Sequence, residues 1–438
     1  MEKSYKIILL KEPKQNMAEI KTQEAEKIKN ISDEHAADQE KEITNLTATL
    51  WNYNPVPENE PEPFPEYVIR YDKTECSEVI GARVRGKKHK HEGSNCDDWF
   101  ECITDEDITC IVVSDGAGSK KYSRIGAKTA CRSAIGYLSS AFKDLFRKDP
   151  EIRERLSLPT DDEMCIDSYK KMAGIVQESM IKAYNAVESA YYERYTEKQY
   201  YETVGREINI KDFSSTLLLA VCIPIDTDAK EKIIISCQIG DGMIALVNSE
   251  DDYEKSVKLM GEADSGDFSG ETDFLVNKKL LDPVNLASRT KVSKVSSDII
   301  LIMTDGVADD YFPNGTEIHR LYFDLLANGI IACSTVVSTT DLSSKQIEII
   351  KKIPEPVEYP WINDKSEMVG LNYTKEIMSA LDMPLNELWD NKYVAYLASA
   401  KVKEKMNTDD PSQRLKIWLD NYVERGSFDD RTLVIARI

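Results

Sequence analysis

A chain of 438 residues that is 41% hydrophobic is long enough to fill the core of one large domain with extensions, or of two. Its formal charge of −21, with no long basic stripe, excludes general nucleic-acid binding. The absence of an apolar run near the roughly 20 residues of a bilayer span argues against a membrane helix. Nine cysteines, odd in number, without a C-x-x-C pair and mostly inside apolar runs, read as reduced core residues, and the expected location is cytoplasmic.

In chain order, Tyr5 to Leu10 is predicted as a short strand. Residues 14–45 follow as a charged, helical or loosely ordered arm with room for a protein partner. Pro55, Pro57, Pro61, Pro63 and Pro65, mixed with glutamates, read as a stiff linker that ends near Glu66. The expected division is therefore an acidic extension over residues 1–66 and a folded domain over 67–438. Short strands are predicted at Tyr67 to Arg70 and Val79 to Val84, before a basic loop, Arg85 to His91. Gly81 to Lys88 resembles a phosphate-binding P-loop, but Lys88 stands where Ser or Thr is required and no helical pattern follows.

The next apolar run, Ile108 to Val113, stops at Ser114-Asp115-Gly116-Ala117-Gly118-Ser119. Such a run fits a strand buried on both faces, so Asp115 falls where the strand leaves the core. The same device recurs at Ile299 to Asp305-Gly306 and, more weakly, at Ile233 to Gly240-Asp241-Gly242. Asp429-Asp430 sits at the entry to a last apolar run, Leu433 to Ala436. Antiparallel strands would bring these aspartates to one rim. Carboxylates without His or Cys partners form a hard, oxygen-only set suited to Mg²⁺ or Mn²⁺, and a two-metal site is expected. Between these runs, Ile125 to Leu145 and Ile166 to Tyr192 are predicted as long amphipathic helices, and Leu217 to Cys222, Ile233 to Ile239 and Ile244 to Val247 as a strand meander. The tract from Tyr311 to Gly426 reads as mostly helical. Tethered between two candidate ligands, it is expected to fold back over the site's neighbourhood.

Taken in order, Gly86-x-x-His89, Gly93-x-x-Cys96-Asp97-Asp98, Ser114 to Ser119, Ser215-Thr216, Gly240-Asp241, Thr304-Asp305-Gly306 and Asp429-Asp430-x-Thr432 resemble the motifs of bacterial metal-dependent protein phosphatases of the PPM (type 2C) family. The resemblance implies an α+β fold, a β-sandwich of two mostly antiparallel sheets flanked by helices (α-β-β-α), here with a helical insertion at about 311–426. It implies that Asp115 bridges two Mn²⁺ or Mg²⁺ ions, that the Gly116 carbonyl joins one, and that Asp305 and Asp429 bind the other. Asp97 would act just outside the metal shell, and Asp241 and Asp309 align with a third, weaker ion position of some members. The implied reaction is hydrolysis of phosphoserine and phosphothreonine in proteins by a hydroxide activated between the ions. A phosphoprotein substrate and a serine/threonine kinase pathway come with it.

Three departures stand out. Glu92 replaces a phosphate-contacting Arg, leaving that contact to His89 or Arg85; Ala117 replaces a His proposed as general acid; and Cys96 stands where Gln or Glu is usual. A cysteine-nucleophile phosphatase is excluded, because no cysteine begins a C-x-x-x-x-x-R run. The alternative reading is a catalytically silent protein of the same fold that serves as a scaffold.

Overall fold

The computed structural model describes residues 52–225, 230–261, 272–311, 317–333, 344–355, 357–361, 365–369, 373–405, 408–421 and 428–438. The strand expected at Tyr5 to Leu10 and the charged arm lie outside the described residues.

Two antiparallel sheets face each other. The first runs β1 (Tyr67–Lys73), β2 (Glu78–Val84), β13 (Arg431–Arg437), β10 (Ile299–Met303), β7 (Met243–Val247), β8 (Val257–Leu259). The second runs β3 (Trp99–Thr104), β4 (Thr109–Ser114), β5 (Leu217–Pro224), β6 (Lys232–Ile239), β9 (Thr290–Val295). A separate hairpin pairs β11 (Val357–Trp361) with β12 (Lys365–Val369).

The apolar runs carry no polar alternation because both faces of each central strand are covered. In β10, Ile300 and Ile302 enter the core between the sheets, while Ile299, Leu301 and Met303 enter a second core on the outer side. Strand β4 divides likewise: Ile111 and Val113 point between the sheets, Cys110 and Val112 toward the helices behind them. Helices Ser123–Lys148 and Glu163–Arg194 cover the second sheet. Helices Ile318–Ala327, Tyr373–Leu381, Tyr393–Lys405 and Pro411–Asn421 cover the first. The result is the expected α-β-β-α order. The tract after Tyr311 does more than fold back toward the site: its described helices supply the outer layer of the first sheet, and Asp420 on the last of them pairs with Lys90 of the segment beside Asp429. The apolar outward residues of β2, β10 and β13 require that cover.

A second difference concerns the Pro/Glu segment. It is packed on the domain, and one compact unit runs from residue 51 to 438. Phe64 is buried with its ring edge-on to Trp99 at 5.2 Å. Glu60 and Glu62 pair with Arg124 and Arg194. Proline fixes the backbone angles but does not prevent docking, and here Glu60, Glu62, Phe64 and Glu66 each find a partner. Strands β3 and β9, not anticipated from the sequence, complete the second sheet.

Strand register places the site. Val84 faces Arg431, Trp99 faces Ser114, Leu217 faces Ile239, and Met303 faces both Leu433 and Met243. All these termini lie at one end of the sandwich, so every segment that bears a candidate aspartate leaves from the same rim.

Candidate metal centre

Asp115 follows the last residue of β4. Its amide N–H donates to Thr216 Oγ1 at 2.8 Å and its carbonyl accepts from the Thr216 N–H at 2.8 Å. Gly116 forms an isolated antiparallel bridge with Ser215, flanked by the bonds at Asp115 and at Ala117 N–H to Ser214 O, 3.0 Å. In such a pair the intervening N–H and C=O point away from the partner, so the Gly116 carbonyl faces outward from this ladder. Only glycine fits: a Cβ there would lie 2.6 Å from the Asp97 carbonyl oxygen.

Carboxylate oxygens of Asp115, Asp241 and Asp305 converge to within 4.8 Å of one another. Asp241 comes from the β6–β7 turn and Asp305 begins the short helix that follows β10. Burial, then the neighbouring Asp305 and Asp98, hold the Asp115 carboxyl well above the usual carboxylate range. Burial, then Asp241, Asp98 and Asp429, do the same to Asp305. Asp309 is raised by burial and by Asp241 and Asp429. Among the described residues none of the three converging carboxylates has a Lys or Arg ion pair, and Asp241 Oδ1 is buried without a hydrogen-bond donor. An oxygen-only cluster whose members repel one another and lack a cation fits a divalent metal ion.

The second cluster joins His89, Asp429 and Asp430, again within 4.8 Å. The Arg85 to His91 segment, expected as a loop, contains a helix, Lys87–Glu92, that begins at Gly86, where a Cβ would meet the Asp429 backbone at 2.3 Å. Asp430 accepts from the Gly86 N–H at 2.6 Å, from the Asp97 N–H at 2.5 Å and from His89 Nδ1 at 2.8 Å. Burial disfavours charge on His89, but the Asp430 carboxylate, with Asp97 and Asp429, outweighs it and raises the imidazole to about 10. Burial also opposes the Asp430 charge, yet His89 and the two backbone donors hold its carboxyl below the ordinary value. His89 Nε2 lies 4.0 Å from the point a Gly118 Cβ would occupy, so the ring's second nitrogen faces the Asp115 turn.

The expected residues are thus brought to one rim, with two regroupings. Asp241, assigned by resemblance to a peripheral ion, lies with Asp115 and Asp305, and the second cluster contains a histidine. Arg85 does not reach toward the rim: its guanidinium donates to Glu66 Oε1 at 2.6 Å, Asn54 O at 2.8 Å and His89 O at 2.7 Å. Asp97 is buried, and burial with the Asp430 charge, against His89, raises it to about 8.

Sequence reasoning gave no role to Asp98. It is fully buried and accepts from Thr304 Oγ1 at 2.9 Å and Thr432 Oγ1 at 2.6 Å, and its carboxyl meets that of Asp115. Burial and Asp430 raise it to about 7. Both threonines stood inside quoted motifs, which was the available signal.

No helix among the described residues is long and apolar enough to cross a membrane. Solved structures with similarity include RsbX in complex with magnesium (11% identity, 84% of this chain and 99% of that chain, TM-score 0.29). Others are the PPM Ser-Thr phosphatase MsPP from Mycobacterium smegmatis in complex with cacodylate (12%, 82% and 97%, 0.28) and the serine/threonine phosphatase Stp1 from Staphylococcus aureus (10%, 86% and 97%, 0.32). No curated protein matches the chain. The family model described as protein phosphatase 2C matches residues 85–338, more than half of the sequence, and spans Asp97, Asp115, Asp241 and Asp305: the chain belongs to the protein phosphatase 2C family.

Proposed function

We propose that the protein is a metal-dependent phosphatase that hydrolyses phosphoserine and phosphothreonine in proteins. The observation that carries this reading is the convergence of Asp115, Asp241 and Asp305 without a compensating side-chain cation. These three, with Asp429, Asp309 and the outward Gly116 carbonyl, are the groups that would hold two Mn²⁺ or Mg²⁺ ions and a third, weaker one. Bound divalent ions supply charge that neutralises phosphoryl oxygens and acidifies water.

The chain's own residues do the rest. Asp98, fixed by Thr304 and Thr432, sets its carboxyl against that of Asp115 and so positions it. His89, charged and locked by Asp430, presents its second N–H toward the Gly118 turn, where it orients the phosphoryl group. Hydrolysis delivers the hydroxyl of water to phosphorus and a proton to the departing serine or threonine oxygen. Asp97, buried beside His89 and Asp430, is the proton source in place of the histidine absent at Ala117. A serine/threonine kinase would produce the substrates, and the charged arm over residues 14–45 would bind a protein partner.

The test is phosphate release from phosphoserine and phosphothreonine peptides. Mn²⁺ or Mg²⁺ should support turnover and EDTA should abolish it. Activity with zinc alone, or two bound ions without any turnover, would reject the reading, and the second outcome would leave a silent scaffold.

A further inference from the structure

Two buried guanidinium groups flank the metal rim without touching the carboxylate cluster. Arg85 precedes the His89 helix, and Arg124 lies one residue past Ser123, whose backbone packs against Gly116. Each is 1% exposed, so each must find its acceptors inside the protein.

Most of those acceptors belong to residues 52–66. Arg85 has three, of which Glu66 Oε1 (2.6 Å) and Asn54 O (2.8 Å) are on this segment and His89 O (2.7 Å) is on the helix it steadies. Arg124 has four: Glu60 Oε1 (3.0 Å), Pro61 O (2.5 Å) and Glu62 O (3.2 Å) on the segment, and Lys121 O (2.6 Å) in the turn after Asp115. The segment is itself anchored. Phe64 N–H donates to Asn95 Oδ1 at 2.8 Å, two residues before Asp97, and Asn54 N–H donates to Lys90 O at 2.7 Å. A guanidinium with several fixed acceptors transmits position through its rigid fork.

We propose that residues 52–66 form a positioning strap of the active centre, in which Glu66 acts through Arg85 on the His89 helix and Glu60 acts through Arg124 on the turn that carries Gly116. The role rests on the phosphatase reading for its effect on turnover, but not for its effect on structure. None of the strap residues touches the reacting atoms; displacement of groups they hold by a fraction of an ångström is what reduces the rate.

The test uses the full-length protein with Glu60→Ala, Glu66→Ala, their combination, Glu66→Gln, and Glu58→Ala as an exposed strap residue without a buried partner. Turnover of an aryl phosphate at saturating Mn²⁺ is measured with melting temperature and amide exchange at Lys90 and Ser94, whose N–H groups bond to Gly86 O and His89 O. The double variant should lower kcat about tenfold with KM changed by less than about twofold, and exchange at both amides should quicken. Glu66→Gln, which keeps the acceptor oxygen, should restore most of the loss caused by Glu66→Ala, and Glu58→Ala should match wild type. Unchanged kcat per folded molecule with a lowered melting temperature would make the strap merely structural and overturn the proposal. So would unchanged exchange. If wild type hydrolyses no phosphoester, the phosphatase reading fails, and the exchange arm still decides whether the strap holds the His89 helix.

Discussion

Asp305 and Asp430 leave the same rim and share a chemistry, yet their surroundings treat them in opposite ways. Asp430 is met by His89 and two backbone N–H groups, and its carboxyl is held below the ordinary value. Asp305 faces Asp241, Asp98, Asp429 and Asp309, and its carboxyl is held well above. One aspartate is finished by the protein; the other is left for something the protein does not supply. Buried charge needs a counter-charge, so on the proposed reading the difference separates a structural ion pair from a metal-binding site.

The largest effect that tests this contrast is on turnover. Asp305→Asn keeps the shape and removes a charge needed to hold an ion. Phosphate release should fall at least about a hundredfold, and the metal-induced rise in melting temperature should shrink with it. In EDTA the sign reverses: urea unfolding should show the variant at least as stable as wild type, because a repelling carboxylate has gone. Asp430→Asn should behave in the opposite sense. It removes the charge that keeps His89 protonated and leaves a buried imidazole without its carboxylate, so it should lower stability with or without metal. If both variants destabilise the metal-free protein equally, the contrast is wrong.

The two aspartates were not equally legible in the sequence. Asp115, Asp241 and Asp305 announced themselves because a β-branched run ending in an acid is a local pattern, written within ten residues. Asp430 was visible as part of a pair, but its partner His89 lies 341 positions away. Asp98 was less legible still, since its threonine donors are 206 and 334 residues distant. The sandwich itself was readable for a related reason: strands such as β4 and β10 are covered on both faces and so are apolar throughout. Strand β3, Trp99–Thr104, sits half-covered, mixes Glu101 and Thr104 with apolar residues, and gave no such signal. The Pro/Glu segment reads as a linker because composition reports proline and glutamate but not the buried arginines that receive them.

Chelation and pH sharpen the contrast further. Asp98 and Asp97 are raised from 3.8 to about 7 and about 8, so the folded protein binds these protons more tightly than the unfolded chain does. That stability is complete below about pH 4 and is lost as pH rises through 7 and 8. His89, raised from 6.5 to about 10, likewise contributes fully below 6.5 and loses its contribution as pH climbs toward 10. Asp430, lowered, acts in the other direction and loses its contribution only as pH falls below the ordinary carboxylate value. In EDTA, stability should therefore decline as pH rises from about 4 to about 8. Saturating Mn²⁺ needs the cluster ionised, so its added stability should grow over the same window. It should amount to about 2.7 kcal/mol for free metal near 100 times its dissociation constant. Melting curves with and without Mn²⁺ across this window check both signs; a gap that narrows with pH would place the ions elsewhere.

The smallest effect concerns the floor beneath the cluster. Thr432 Oγ1 donates to Asp98 at 2.6 Å, and Thr432 N–H donates to Thr304 Oγ1 at 3.1 Å, so one threonine orients the acid and steadies the other threonine. Thr432→Val preserves volume and β-branching but removes the hydroxyl, leaving a buried carboxyl with one donor fewer. The loss should be about 1–3 kcal/mol of stability, the range for a deprived buried polar group. Because Asp98 supports Asp115, metal affinity should also weaken about tenfold, the lower range for the loss of a supporting partner. Thr432→Ser keeps the donor and gives up only a methyl group, so it should restore metal affinity while recovering stability incompletely. Mn²⁺ titrations of the two variants distinguish the cases: equal affinity in Thr432→Val and Thr432→Ser would mean that Asp98 fills space beneath Asp115 without directing it.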